Sequence, residues 1–95
     1  MQKAVYRERE VTFEVEIGEN IKVTAKGYSR QAVTVSIPGE TSQKYTMDDK
    51  LIQILDCPKK DLARGGDITI SVSTYDVLVI RKTLFGVKVL RLNSM

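Results

Sequence analysis

Hydrophobic and polar residues alternate with a period of two along most of this chain. In Val11-Thr12-Phe13-Glu14-Val15-Glu16-Ile17, the residues Val11, Phe13, Val15 and Ile17 point one way and Thr12, Glu14 and Glu16 the other. Alternation built from β-branched and aromatic residues predicts a half-buried strand. Gly18-Glu19-Asn20 predicts a turn, and Ile21 to Lys26 a second strand with Ile21, Val23 and Ala25 inward. Gly27-Tyr28-Ser29-Arg30 reads as a hairpin loop. Val33-Thr34-Val35-Ser36-Ile37 is then the return strand, stopped by Pro38-Gly39.

One segment predicts a helix. Thr46-Met47-Asp48-Asp49 has the form of a capped helix start. Met47, Leu51, Ile52 and Leu55 fall on one helical face, and Pro58 sets a stop, so the helix is expected over 47–56. Lys59 to Gly66 predicts a loop, and Ile68 to Ser73 another alternating strand. A tight turn is expected at Tyr75-Asp76. Val77-Leu78-Val79-Ile80 is apolar on both faces and predicts the most buried strand. Leu84 to Leu92 predicts a last strand, bent at Gly86.

The order is about four strands, one short helix and three more strands, with short connections. This predicts a mainly β fold, a small antiparallel β-barrel or roll with one short α-helix, as a single domain over residues 1–95. Two hairpin halves, 1–46 and 66–95, would be joined by the helix and loop. Gly18 to Tyr28 also aligns without gaps on Gly65 to Tyr75, matching at Gly, Ile and Tyr. Two related hairpins would produce this echo; so would any two alternating segments.

Composition narrows the chemistry. There are no histidines and one cysteine among 95 residues. Serine or cysteine catalysis through a histidine, a disulfide within the chain and a multi-thiolate zinc site are therefore excluded. Cys57 reads as a small apolar residue at the helix end. Gly65-Gly66 precedes a strand, so it forms no phosphate loop. Asp48-Asp49 is better explained by helix capping than by a cation. No cofactor, metal or enzymatic activity is expected. No apolar run approaches membrane-spanning length, and Met1 to Arg7 turns charged early, so a soluble cytoplasmic protein is expected.

The net charge is +3, and its distribution is uneven. Glu8, Glu10, Glu14, Glu16 and Glu19 dominate the first twenty residues, whereas Arg81, Lys82, Lys88 and Arg91 are the only charges after Asp76. Nucleic-acid binding needs cations for phosphates and, for single strands, exposed planes for stacking. The candidates are Arg7 and Arg9 beside Tyr6; Lys26, Tyr28 and Arg30 around the first hairpin tip; and Arg81, Lys82, Lys88 and Arg91. A solvated, solubilising surface explains the same charges equally well, and the tyrosines also suit packing.

Ile17-Gly18-Glu19-Asn20-Ile21-Lys22-Val23-Thr24, Gln31-Ala32-Val33-Thr34-Val35-Ser36-Ile37-Pro38 and Met47-Asp48-Asp49 with Ile52 resemble the carbon storage regulator family. The resemblance covers about Ile17 to Gln53. It implies a dimeric β protein that binds messenger RNA leaders and controls translation. The family's RNA-contacting arginine before its acidic helix start corresponds here to Thr46 or Met47. Its early-strand arginine corresponds to Arg7, at a longer spacing from Gly18. The chain also continues for another three-strand unit. A second resemblance, through Val35-Ser36-Ile37-Pro38, Gly66-Asp67-Ile68-Thr69-Ile70 and Leu78-Val79-Ile80-Arg81-Lys82, is to the swapped-hairpin transcription regulators, and implies DNA binding as a dimer.

Three functions follow as expectations. One is a nucleic-acid-binding regulator, RNA before DNA, acting as a homodimer. Another is a protein-interaction module, such as an adaptor or inhibitor, for which the acidic face of Glu14 and Glu16 suits a basic partner. A structural role in a homo-oligomer is the third. No membrane partner is expected.

Overall fold

In the computed structural model, which describes residues 1–28 and 30–92, the alternating segments form nine strands in two antiparallel sheets. The strands are β1 (Gln2–Glu8), β2 (Val11–Ile17), β3 (Asn20–Gly27), β4 (Ala32–Ser36), β5 (Gln43–Thr46), β6 (Ile52–Pro58), β7 (Asp67–Val72), β8 (Tyr75–Thr83) and β9 (Gly86–Arg91). The first sheet has the order β1-β2-β3-β6 and the second β5-β4-β7-β8-β9. Both contribute to a single core, as in a β-sandwich. The Arg91 side chain on β9 bonds Glu8 at the end of β1, so these two edges lie on the same flank. Among the described residues, no helix is long and apolar enough to cross a membrane.

The alternation puts the expected residues inside. Val11, Phe13, Val15 and Ile17 of β2, Ile21, Val23 and Ala25 of β3, and Val33 and Val35 of β4 are all buried. They meet Ile68, Ile70 and Val72 of β7 and Leu78 and Ile80 of β8. The run Val77 to Ile80 is buried throughout, as its two-sided apolar pattern requires. Its register explains how. Ile70 pairs with Leu78 but Ser71 with Asp76, so Val77 is an extra residue in a β-bulge.

Several expectations need correction. The two sheets do not close into a barrel. No α-helix occurs among the described residues; a short 3₁₀ turn at Lys59–Asp61 is the nearest thing to one. The segment expected as a helix over 47–56 runs instead from a buried Met47 through a turn into strand β6. A bulge misled the pattern. Val23 pairs with Leu55 and Thr24 with Gln53, leaving Ile54 as an extra residue. Ile54 and Leu55 both turn inward, so the apolar spacing becomes i, i+3 and imitates a helix. Leu51, expected on the buried helical face, is 53 % exposed. Thr46 ends β5 rather than capping a helix, and the Asp48 carboxylate accepts the Asp49 N–H at 2.7 Å within the turn.

The segment after Gly27 is not a hairpin either. β3 and β4 belong to different sheets, so Tyr28 to Gln31 carries the chain across the sandwich. Ser29, inside that segment, lies outside the described residues. The tight turn expected at Tyr75-Asp76 falls at Ser73-Thr74, with Ser73 at φ 55°. Gly86, at φ 132°, begins β9 after a Leu84-Phe85 turn instead of bending a strand. The echoed segments are β3 and β7, which pair differently: β3 forms its hairpin with the preceding β2, β7 with the following β8.

Phe13 is fully buried near the middle of the core. Phe13→Ala is expected to lower the unfolding free energy by about 3–5 kcal/mol, because the lost transfer energy is joined by a cavity in a close-packed slab. Urea titration followed by circular dichroism measures it; a cost below about 1 kcal/mol contradicts this packing.

Candidate functional site

The strand register divides the candidate residues between the two ends of the sandwich. The β1–β2 turn, the β3–β4 crossing, the turn between β5 and β6 and the β7–β8 turn all lie at one end. Val11 pairs with Gly27, Ala32 with Thr46, and the Ser73 N–H donates to the Ala32 carbonyl at 2.7 Å. The Gly27 N–H reaches the Asp48 carbonyl at 3.4 Å and the Met47 N–H the Gln31 carbonyl at 2.8 Å. This loop end gathers Arg7, Arg9, Lys26, Tyr28, Arg30 and Arg91. Arg81, Lys82 and Lys88 lie toward the opposite end, where Thr83 pairs with Gly86. The nine candidates therefore do not form one patch.

Most of the cations at the loop end have local partners. Lys26 Nζ lies 3.5 Å from Asp49 Oδ1. Arg91 Nε donates to Glu8 Oε2 at 2.7 Å. The Arg9 guanidinium stacks over Tyr75, 3.4 Å from the ring centroid, a cation–π contact. Carboxylates stand among them: Glu8, Glu10, Asp48, Asp49 and Asp76. At the opposite end Arg81 grips Asp67 with two bonds of 2.7 and 2.9 Å, which holds the Asp67 carboxyl below its ordinary pKa. Lys82 Nζ donates to the Lys59 carbonyl at 3.1 Å.

The acidic face expected from Glu14 and Glu16 is corrected in part by the register. Glu16 sits between Lys3 on β1 and Lys22 on β3, and Lys22 in turn faces Asp56 on β6. This one row of the outer face thus alternates in sign, whereas Glu14 lies between Val5 and Thr24 with no cation opposite it. Tyr6 and Tyr45 pack against the core, as ordinary amphipathic residues do. Tyr28, in contrast, is 64 % exposed, and Tyr75 and Leu51 are exposed as well.

Backbone strain marks the same end. Among the described residues, four non-glycine residues take positive φ: Arg9 (51°), Glu10 (69°), Arg30 (53°) and Ser73 (55°). All four lie on loop-end connections. Arg9 and Glu10 form a two-residue hairpin turn of the primed kind, where Asn-Gly is the unstrained choice. Nothing in the sequence pattern flagged this turn, because neither residue is a turn signal. Beside Arg30 lies a shallow depression of about 290 Å³ bordered by Thr46, Met47 and Asp48. The Gln31 Oε1 atom is buried without a hydrogen-bond partner among the described residues. Such strained, incompletely satisfied features accumulate at functional surfaces.

Cys57 lies on β6, not at a helix end, and is buried. Burial raises its thiol pKa, helped by the nearby carboxylates of Asp61, Glu40 and Asp56. Among the described residues, no three His, Cys, Asp or Glu side chains gather as a metal-binding group. No protein-family model, curated protein or solved structure matches the chain.

Two outcomes are expected. Glu10→Gly should raise the unfolding free energy by about 0.5–1 kcal/mol, since glycine relieves the left-handed strain at some entropic cost. Arg9→Gly should gain less, because it also gives up the Tyr75 contact; equal gains in thermal unfolding would show that contact to be idle. Second, the native protein should react with a maleimide at neutral pH far more slowly than the urea-unfolded chain, since both burial and the raised pKa suppress the Cys57 thiolate; equal rates would contradict it.

Proposed function

We propose that the chain is a binding domain that takes a protein partner on its loop end. The observation that supports this reading is the convergence there of Tyr28, Tyr75, Leu51, Arg9 and Arg30, on strained connections between rigid strands. Tyrosine and arginine dominate binding hot spots because each offers large contact area together with hydrogen bonding. The carboxylates interleaved with the arginines and Lys26 suit a partner of mixed charge. A polyanion would meet Glu10, Asp48 and Asp49 among the cations. The single free thiol, Cys57, suits a reducing compartment such as the cytoplasm.

A second reading retains single-stranded nucleic acid, RNA before DNA, as the ligand. It is favoured by one observation: six of the nine candidate residues, remote in sequence, meet at the loop end beside two exposed tyrosine rings. A role in translational control would follow from it and from the resemblance to the carbon storage regulators. The two readings separate by salt. Phosphate binding falls steeply with ionic strength, whereas a mixed-charge protein contact centred on aromatic residues falls little.

The experiment is a pair of measurements on the purified chain. Wild type and the double variant Tyr28→Ala/Arg30→Glu, whose sites are exposed and leave the core intact, serve as bait in the lysate of the source cells. A partner held by wild type and lost by the variant is expected, with affinity reduced by about thirty-fold or more. In parallel, fluorescence anisotropy with a single-stranded RNA pool is expected to show only weak binding that disappears at physiological salt. Tight RNA binding that survives physiological salt and is lost in the variant would overturn the protein reading in favour of the second.

A further inference from the structure

The opposite end carries the most exposed large hydrophobic side chain of the described residues. Phe85, on the β8–β9 turn, is 95 % exposed, and its neighbour Leu84 is 67 % exposed. The turn is not slack. Thr83 Oγ1 donates to the Gly86 carbonyl at 2.9 Å and accepts the Phe85 N–H at 3.2 Å. The aromatic ring is thus held out on a braced two-residue turn, so little order remains to be imposed when it binds. Lys82 and Lys88 stand just behind it on the two strands.

A cleft of complementary character lies at the same end, on the other flank. Ile37, Cys57 and Leu62 line it with apolar surface, and Glu40, Asp56 and Asp61 stand round it. Its volume is about 250 Å³ and its lining is mixed, polar as well as apolar; an enclosed apolar cavity of roughly 150 Å³ holds a benzene ring. Burial, and after it these same three carboxylates, push up the Cys57 thiol at the floor of the cleft. The tip cannot serve its own cleft, since Phe85 is exposed. The strand order separates the two features: β8 and β9 close one flank, where Arg91 meets Glu8, while β6 borders the other.

We propose that the Leu84-Phe85 tip of one chain seats in the Ile37-Cys57-Leu62 cleft of a second copy, and reciprocally, giving a two-fold dimer through the end opposite the loops. A tip and a cleft on opposite flanks of one end form a self-complementary patch: a two-fold axis passing between them brings each tip onto the partner's cleft. Phe85 supplies the apolar anchor. The exposed Lys88 approaches Glu40 and Asp61, which fixes register and speeds encounter. The loop ends then point away from each other, which leaves both free. The proposal goes beyond the function proposed above and does not depend on it, because it uses none of the loop-end residues.

Analytical ultracentrifugation of the purified chain over a micromolar-to-millimolar series tests it. Wild type is expected to dimerise, with a dissociation constant that rises with salt. Phe85→Ala, at a site outside the core, should raise that constant by about thirty-fold or more while leaving the thermal unfolding of the monomer unchanged. Lys88→Glu and Glu40→Lys should each weaken the dimer, and a chain carrying both should recover it. Wild type that stays monomeric throughout overturns the proposal, as does a dimer indifferent to Phe85→Ala. A monomer that cosediments with phosphatidylserine vesicles only when Phe85 is present would also overturn it, and would assign the tip to a lipid surface.

Discussion

The structure depends on one slab of apolar side chains that both sheets must reach at once. Nine short strands cannot each bury a face unless every strand presents its alternate residues to the same plane. Strict alternation achieves this in β2, β3, β4 and β7. In β6 and β8 it does not suffice. There an extra residue, Ile54 or Val77, is absorbed as a bulge, so that two neighbouring apolar residues are buried together. The bulges add apolar surface to a chain whose small core leaves little stability to spare. Met47, fully buried under the crossing between the sheets, closes the slab at the loop end. Gly27 is tied to it by space. A Cβ there would come within 3.1 Å of the Met47 Cβ and 3.3 Å of Val11 Cγ2.

The same constraint decides where function can sit. On the outer face of the first sheet one row sets Lys3 opposite Glu16 and Lys22 opposite Asp56, so charges of both signs are interspersed there. The edges that meet at β1 and β9 are tied by Arg91 and Glu8. What remains are the two ends, where the chain turns. At one of them the turns are strained and carry tyrosine and arginine. At the other a single hairpin holds out leucine and phenylalanine. Behind the tip, β8 buries Val77 to Ile80, while Val87 and Val89 of β9 are half-buried against the core.

Strand existence and facing were legible in the sequence wherever period two ran without interruption. Val11 to Ile17 is the clearest case: each residue expected inside is inside. The failures have particular causes. The bulge at Ile54 rewrote a strand pattern as a helical one, and Thr46-Met47-Asp48-Asp49 happened to supply a start signal in front of it. β5, with Gln43, Lys44 and Thr46 exposed, is a short polar edge strand with almost no hydrophobic signal. The segment at Gly27 was read as a hairpin because alternation specifies which residues face the core and not which sheet they face it from. The candidate site was legible only as residue types. Arg7, Tyr28 and Arg91 lie far apart in the chain, and their meeting at one end depends on the register of seven strand pairs. Tyr75 suits packing as readily as exposure, and no local signal marks the Arg9-Glu10 turn.

The separation of the two ends has a consequence for how such a domain can be used. The molecule is 37 Å long and about 25 Å across, and among the described residues no buried polar residue lies in the apolar slab between the loop end and the Leu84-Phe85 tip. A close-packed interior transmits a change between ends only if it has two alternative packings. A core of largely β-branched residues, fixed in its ladders and at two bulges, supplies no second packing. Binding at one end should therefore be energetically independent of binding at the other, and the two should combine through geometry alone. A dimer formed through the tips would hold two loop ends at a fixed distance and in opposite directions. Avidity toward a partner that repeats at that spacing would follow from effective concentration, without any change of shape in either copy.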